Sequence, residues 1–167
     1  ANDAEGPVAY LMPRQNYLLG RWVKYSGWSP DYRQPQLFRN GALPYTLEEV
    51  HEGFVCDGPI GHLTQPIWQF PFENLAQMLH KAQRYSTLGA DKLYRQGKRG
   101  GMGAALTHGL SMFLKIYLFK SGWRDGRAGF AIAVGGFIGA FYKYAKLAEL
   151  QNYWSEPRYP PVTKPDA

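Results

Sequence analysis

Apolar positions alternate at the start of the chain. Val8, Tyr10 and Met12 stand among smaller or polar residues until Pro13 interrupts them, and residues 8–19 predict a strand pair or a strand and turn. Residues 33–39 have strand character, but Pro35 cannot donate to a ladder and confines them to an edge or a bulge. Residues 53–56, a turn at Asp57-Gly58-Pro59 and residues 60–70 read as a hairpin. The first part of the chain is therefore rich in strands and turns.

The period changes at Pro71. Leu75, Met78, Leu79, Ala82, Tyr85, Leu88 and Leu93 recur at three and four, which predicts a helix from Pro71, a residue tolerated in a first turn, to a stop at Gly97. A second helix is expected over residues 102–120, apolar nearly all round its core except at Lys115, and stopped by Gly122. Asp125 is placed to cap a third helix running to about Tyr153. Its uncharged run, residues 128–142, is short for a hydrocarbon core of about 30 Å at about 1.5 Å per residue. Three settings stay open for it: a helical bundle, the membrane interface, or entry and return. Ala131, Gly135 and Gly139 lie four apart and would let another helix approach, so an oligomer through this helix is possible. Residues 155–167 form a Pro-rich tail expected to be mobile. The resulting division is 1–70, strand-rich; 71–154, a helical amphipathic arm; and 155–167, the tail.

Charge sharpens the picture of the arm. The net charge is +6 over 167 residues, and it is uneven. Between Lys81 and Arg127 only Asp91 and Asp125 oppose a series of cations that includes Lys98, Arg99, Lys120, Arg124 and Arg127. Such a segment is either a solvated helix face or a match for an anionic partner, phospholipid or nucleic acid. Nucleic acid is the weaker choice, because the aromatic residues lie mostly among apolar neighbours and not interleaved with Lys and Arg. Flanking Trp123, Tyr142 and Tyr144 favour a membrane interface, with Phe113 and Phe137 as apolar contacts beside those cations. Cys56 is the single cysteine, so no internal disulfide forms and a reducing compartment fits. The opening residues are polar and show no signal-peptide pattern.

Candidate chemistry gathers in residues 27–52. Trp28, Asp31, Arg39, His51 and Glu52 are separated by turns, the composition of a small polar pocket at strand ends. As a bare pattern it is weak: a His-Glu pair is usually on the surface, Asp31 behind Pro30 suits a turn, and Trp28 suits a core. His51 and His62 are too few for a metal cluster, and His80 and His108 read as helix-surface residues. Gly100-Gly101-Met102-Gly103 follows a helix and lacks the Gly-Lys-Ser/Thr ending of a phosphate loop, so it reads as a flexible joint.

Ordered short motifs add a family resemblance. Pro13-Arg14-Gln15-Asn16-Tyr17-Leu18-Leu19-Gly20-Arg21-Trp22, then Ser26-Gly27-Trp28-Ser29-Pro30-Asp31-Tyr32, Leu37-Phe38-Arg39 and Val50-His51-Glu52, resemble the later half of a family 2 glycosyltransferase. Lys81-Ala82-Gln83-Arg84-Tyr85-Ser86-Thr87-Leu88, Gly97-Lys98-Arg99, Gly122-Trp123-Arg124-Asp125-Gly126 and Tyr144-Ala145-Lys146-Leu147 continue it. Lipopolysaccharide-core glucosyltransferases of the WaaE/KdtX type look most similar, over roughly residues 10–152. The chain departs from the pattern at Gln36, where an Arg usually precedes Leu-Phe, and at Gln69, in a segment that commonly holds a His.

The resemblance implies an α/β fold: a partial GT-A (Rossmann-like) sheet followed by a helical, membrane-associating arm. It implies inverting transfer of a hexose from a nucleotide-sugar donor to a lipid-linked saccharide acceptor, in lipopolysaccharide core or other envelope glycan synthesis. Glu52 would be the general base, with Asp31 in reserve and His51 orienting the base or approaching metal and diphosphate. Trp28 would wall a sugar ring, and Arg14 and Arg39 would meet phosphates. A divalent cation, Mg2+ or Mn2+, would sit on an Asp-x-Asp motif upstream, since Asp3 lies too near Pro13 to belong to it. The expected location is peripheral, on the cytoplasmic face of a bacterial inner membrane. The alternative is a non-enzymatic basic amphipathic module on a membrane surface.

Overall fold

The computed structural model describes residues 6–30, 32, 35–40, 56 and 58–152. The alternating segments form short strands: β1 (Ala9–Leu11), β2 (Arg14–Leu18), β3 (Arg21–Trp22), β4 (Pro35–Phe38), β5 (Ile60–His62) and β6 (Ile67–Gln69). They make two three-stranded sheets, ordered β4-β1-β5 and β3-β2-β6. β1 runs parallel to β5 and β2 parallel to β6, so two kinked segments lie side by side. The kink at Pro13 is bridged by Leu63 N–H on the Leu11 carbonyl and Ile67 N–H on the Pro13 carbonyl. β4 lies antiparallel at the edge of its sheet, with an irregular register between Tyr10 and Leu11, as Pro35 demands. Residues 60–62 and 67–69 pair with the N-terminal segment, and residues 53–55 and 57, the other half of the expected hairpin, lie outside the described residues. The described residues are mixed α/β, and a single GT-A sheet does not emerge from them.

Helix α1 (Leu75–Arg95) begins later than Pro71. Asn74 caps it, its side chain accepting from Gln77 N–H at 2.9 Å. It ends at Gly97, whose φ of +68° favours glycine, with Lys98 N–H on the Leu93 carbonyl. α2 (Met102–Leu114) runs on through a wide turn at Lys115–Phe119, closed by Lys120 N–H on the Lys115 carbonyl. A short tight helical turn at Gly122–Asp125 leads into α3 (Gly126–Asn152).

α3 lies between α1 and α2. Gly136 admits Ile116 from the wide turn and Met112 from α2, Gly135 admits Met78 from α1, and Gly109 admits Phe137 from α3. The small-residue face expected to serve a second copy is thus partly used by α1, although nothing among the described residues lies within 4 Å of a Cβ placed on Gly139. Facing pairs show that α1 runs parallel to α3 and α2 antiparallel to it. Met78 meets Gly135 and Gly89 meets Lys143, whereas His108 stacks on Tyr144 and Tyr117 meets Phe130.

One apolar core joins sheet to helices. Leu18, Val23, Met78, Ala128 and Ile132 are buried together, with Trp28, Phe72, Ile116 and Ala131 packed on them. It draws residues from both sides of position 70. The inner face of α1 is made of Met78, Ser86 and Ala90, while Leu75, Leu79 and Tyr85 of its apolar period stay exposed. Small residues let α1 approach α3 closely, which larger ones would prevent.

Candidate functional site

Glu52, His51 and Asp31 lie outside the described residues. The loop that leads towards Asp31 does not, and it is firmly held. Asp125 is 2% exposed and grips it: Oδ1 accepts from Lys24 N–H at 3.0 Å, Oδ2 from Tyr25 N–H at 3.0 Å and from the Ser26 hydroxyl at 2.7 Å. Ser26 N–H donates to the Lys120 carbonyl at 3.0 Å. Asn16, buried in β2, donates from Nδ2 to the Trp28 carbonyl at 2.9 Å. The loop is therefore pinned from the sheet on one side and from the α2–α3 reversal on the other. Asp125 does not cap α3; the sequence offers a capping residue there, but two backbone N–H groups and a hydroxyl 99–101 residues away reach its carboxylate.

Trp28 is half-buried, its ring 6.3 Å from that of Phe72. It walls a cavity of about 250 Å³ whose other sides come from Phe72, Met78, Tyr85, Ile116 and Ile132. The position fits an apolar wall, turned towards the helices. Arg14 opens β2, and Arg39 follows β4, where its N–H donates to the Val8 carbonyl. They belong to different sheets. Beside Asn16 in the parallel register stands Gln69, whose Oε1 is buried without a hydrogen-bond partner among the described residues.

Among the described residues no three His, Cys, Asp or Glu side chains gather to hold a metal ion. The divalent cation implied by the resemblance has no ligand set there. His62 is exposed, edge-on to Tyr32, and His108 is stacked on Tyr144 at 3.9 Å. The glycine joint before α2 is strapped down. Gln151 of α3 accepts from Gly100 N–H at 2.8 Å and donates to the Lys98 carbonyl. A Cβ on Gly100 would lie 2.7 Å from both Ala148 N and the Tyr144 carbonyl oxygen. Close passage over α3, and not flexibility, is what this glycine serves.

The helices leave apolar surface uncovered. Met102, Leu106, Leu110, Leu114 and Leu118 lie four apart along one side of α2 and its wide turn, each about half exposed, and Phe119 is 82% exposed. Trp123 and Phe130 extend the surface past the reversal. By length and composition Met102–Phe119 and Gly122–Gln151 could each cross a membrane, a test that core helices of soluble proteins also pass. Within this chain 11% and 28% of the tested windows are buried. The continuous stretch at α3 is longer than its uncharged run alone implied.

The expected contact residues divide. Lys98 and Arg99 stand exposed before α2, and Lys120, Arg124 and Arg127 stand exposed at its far end. Arg124 is also stacked over the Tyr25 ring at 4.2 Å. Phe113 is half-buried in a cluster with Tyr117 and Phe130, and Phe137 fills the α2–α3 seam against Gly109. Neither phenylalanine belongs to the exposed stripe. Sequence period alone missed the stripe because α2 is apolar on nearly every side.

Comparison with known proteins places the chain beside a glycosyltransferase. Over 146 residues the chain is 32% identical to "Lipopolysaccharide core biosynthesis glycosyltransferase LpsC" of Rhizobium meliloti (strain 1021), a match covering 84% of this chain and 52% of that protein. The chain thus spans about half the length of that relative. No protein-family profile matches the chain, and no solved structure does.

Proposed function

We propose that this chain forms the acceptor-side and membrane-contacting part of a glycosyltransferase of lipopolysaccharide core synthesis. The observation that carries this is the 32% identity to a glycosyltransferase named for that process. In this reading the enzyme is a family 2, GT-A transferase related to the WaaE/KdtX type, and it moves a hexose from a nucleotide-sugar to a lipid-linked saccharide with inversion. Glu52 takes the proton of the acceptor hydroxyl as its oxygen attacks the anomeric carbon and the nucleoside diphosphate leaves. His51 orients that base, and Arg14 and Arg39 offset phosphate charge. The nucleotide site and its divalent cation belong to sequence that these residues do not cover.

The enzyme sits on the anionic cytoplasmic surface of the inner membrane. The exposed Leu stripe of α2, with cations at both of its ends, supports contact along the membrane plane. Crossing is opposed by α1, which lies alongside α3 with Lys81, Arg84, Lys92 and Arg95 exposed. A crossing α3 would draw those cations into hydrocarbon, each at about 2.5 kcal/mol or more.

The test is Glu52→Gln in the complete enzyme. A fall in kcat of about 10²-fold or more, with donor binding little changed, supports the reading. A near-wild-type rate with Asp31→Asn inactive assigns the base to Asp31, and turnover by the 167-residue chain alone overturns the location of the nucleotide site.

A further inference from the structure

The cavity behind Trp28 is apolar, yet its mouth is cationic. Trp28, Phe72, Met78, Tyr85, Ile116 and Ile132 form its walls, and Gly135 and Gly136 supply backbone without side chains. Lys81 stands at the rim, its Nζ 5.3 Å from the Phe72 ring centre and 5.6 Å from that of Tyr85. A second, more polar cavity of about 630 Å³ adjoins, sharing Phe72, Lys81 and Tyr85 and adding His80, Arg84, Asn74 and Gln77. Among the described lining residues neither cavity has a carboxylate, although Gln77 Nε2 at the edge of the second also donates to the Glu73 carboxylate at 2.9 Å. An apolar slot opening directly into a cationic, amide-lined basin matches one kind of ligand: an alkyl chain ending in a phosphate. A free sugar would leave the slot empty, and a neutral lipid would leave the cations unanswered.

We propose that this paired cavity binds an anionic lipid, with an acyl chain in the slot beside Trp28 and its phosphate held by Lys81 and Arg84. The proposal rests on the membrane-contacting reading above and adds to it a discrete lipid site, apart from the exposed stripe of α2.

The test uses an alkyl phosphate brominated along its chain, below its micelle concentration, as a contact quencher of tryptophan emission. An uncharged brominated alkyl glycoside and inorganic phosphate serve as comparison probes. The expected result is saturable quenching that is largely lost in Trp28→Phe. Affinity should fall about tenfold in Lys81→Gln, the effect of one charge-assisted hydrogen bond, and recover in Lys81→Arg. Ala82→Phe fills the slot from α1 and should abolish saturation; Ala82→Leu replaces it should the larger side chain unfold the protein in a thermal melt. The glycoside should bind about tenfold more weakly, and inorganic phosphate should not displace the chain. Quenching that is non-saturable, or indifferent to both Ala82 substitutions and to Lys81→Gln, overturns the lipid site. Vesicle co-sedimentation separates this from the broader reading. Ala82→Phe should still bind anionic vesicles through α2; a wild type that ignores vesicles yet binds the alkyl phosphate saturably sinks the peripheral assignment and leaves the site standing.

Discussion

Removing the Asp125 carboxylate should detach the 24–28 loop from the helices. The group is 2% exposed and is the acceptor for Lys24 N–H, Tyr25 N–H and the Ser26 hydroxyl. A hydrogen bond to a charged group contributes about 1.5–3 kcal/mol, and a buried donor left unpaired costs about 1–3 kcal/mol. Lys24 is exposed and Tyr25 half-buried, so water can replace part of what Asp125→Ala removes. A net loss of about 3–4 kcal/mol follows, well under the sum of the three, since bonds sharing one acceptor are not additive. In a chain of this size that lowers Tm by roughly 10 °C. Ser26→Ala, which removes one of the three donors, should cost about 1 kcal/mol. The informative variant is Asp125→Ser. Serine is as good a helix N-cap as aspartate, so a capping role predicts near-wild-type stability, whereas the loop clamp predicts a loss close to that of alanine. Differential scanning calorimetry and urea titration of the three variants decide it. A serine variant within about 2 °C of wild type, or Ser26→Ala as damaging as Asp125→Ala, refutes the clamp.

Three further outcomes follow from other parts of the molecule. Leu118→Asp, at a position 53% exposed, should sharply reduce co-sedimentation with anionic vesicles while leaving the melt unchanged, whereas Phe137→Asp should unfold the α2–α3 seam against Gly109; equal melts for the two would contradict the placement of the stripe. Gly129→Ala should destabilise by about 3 kcal/mol or more, because its Cβ would overlap the Gly122 carbonyl oxygen, a backbone atom that cannot swing away; a melt like wild type would refute that close approach at the reversal. Burial lowers the Lys146 ammonium from its ordinary 10.5, with Glu149 and Asp91 acting the other way. The unfolded chain then holds more protons as pH approaches 10.5, so wild-type stability should rise relative to Lys146→Met over that window, and a relative fall in urea titrations would reverse the sign.

Some of this architecture follows from residue order alone. Period-two and period-three-to-four patterns are local properties of the backbone, so the strand-rich start, the three helices, the edge position of Pro35 and the stop at Gly97 are legible in the sequence. The cationic segment and the apolar character of α2 and α3 are equally so, being sums over composition. The relationship to a lipopolysaccharide-core glycosyltransferase rests on ordered motifs, which a sequence carries whole. Other features needed the tertiary structure, because they depend on residues far apart in the chain. Asp125 looks like a helix cap until the 24–26 loop arrives 99–101 residues away and claims its carboxylate. That residues 60–70 pair in parallel with the N-terminal segment could not be read from either stretch alone. Leucine and phenylalanine on α2 and α3 are chemically alike, and only the close approach permitted at Gly109 and Gly136 decides that Phe137 is interior while Leu118 is not. The slot behind Trp28 is the extreme case, since it is made where a sheet loop, α1, α3 and the wide turn after α2 leave a gap, and a gap has no residues of its own to be read.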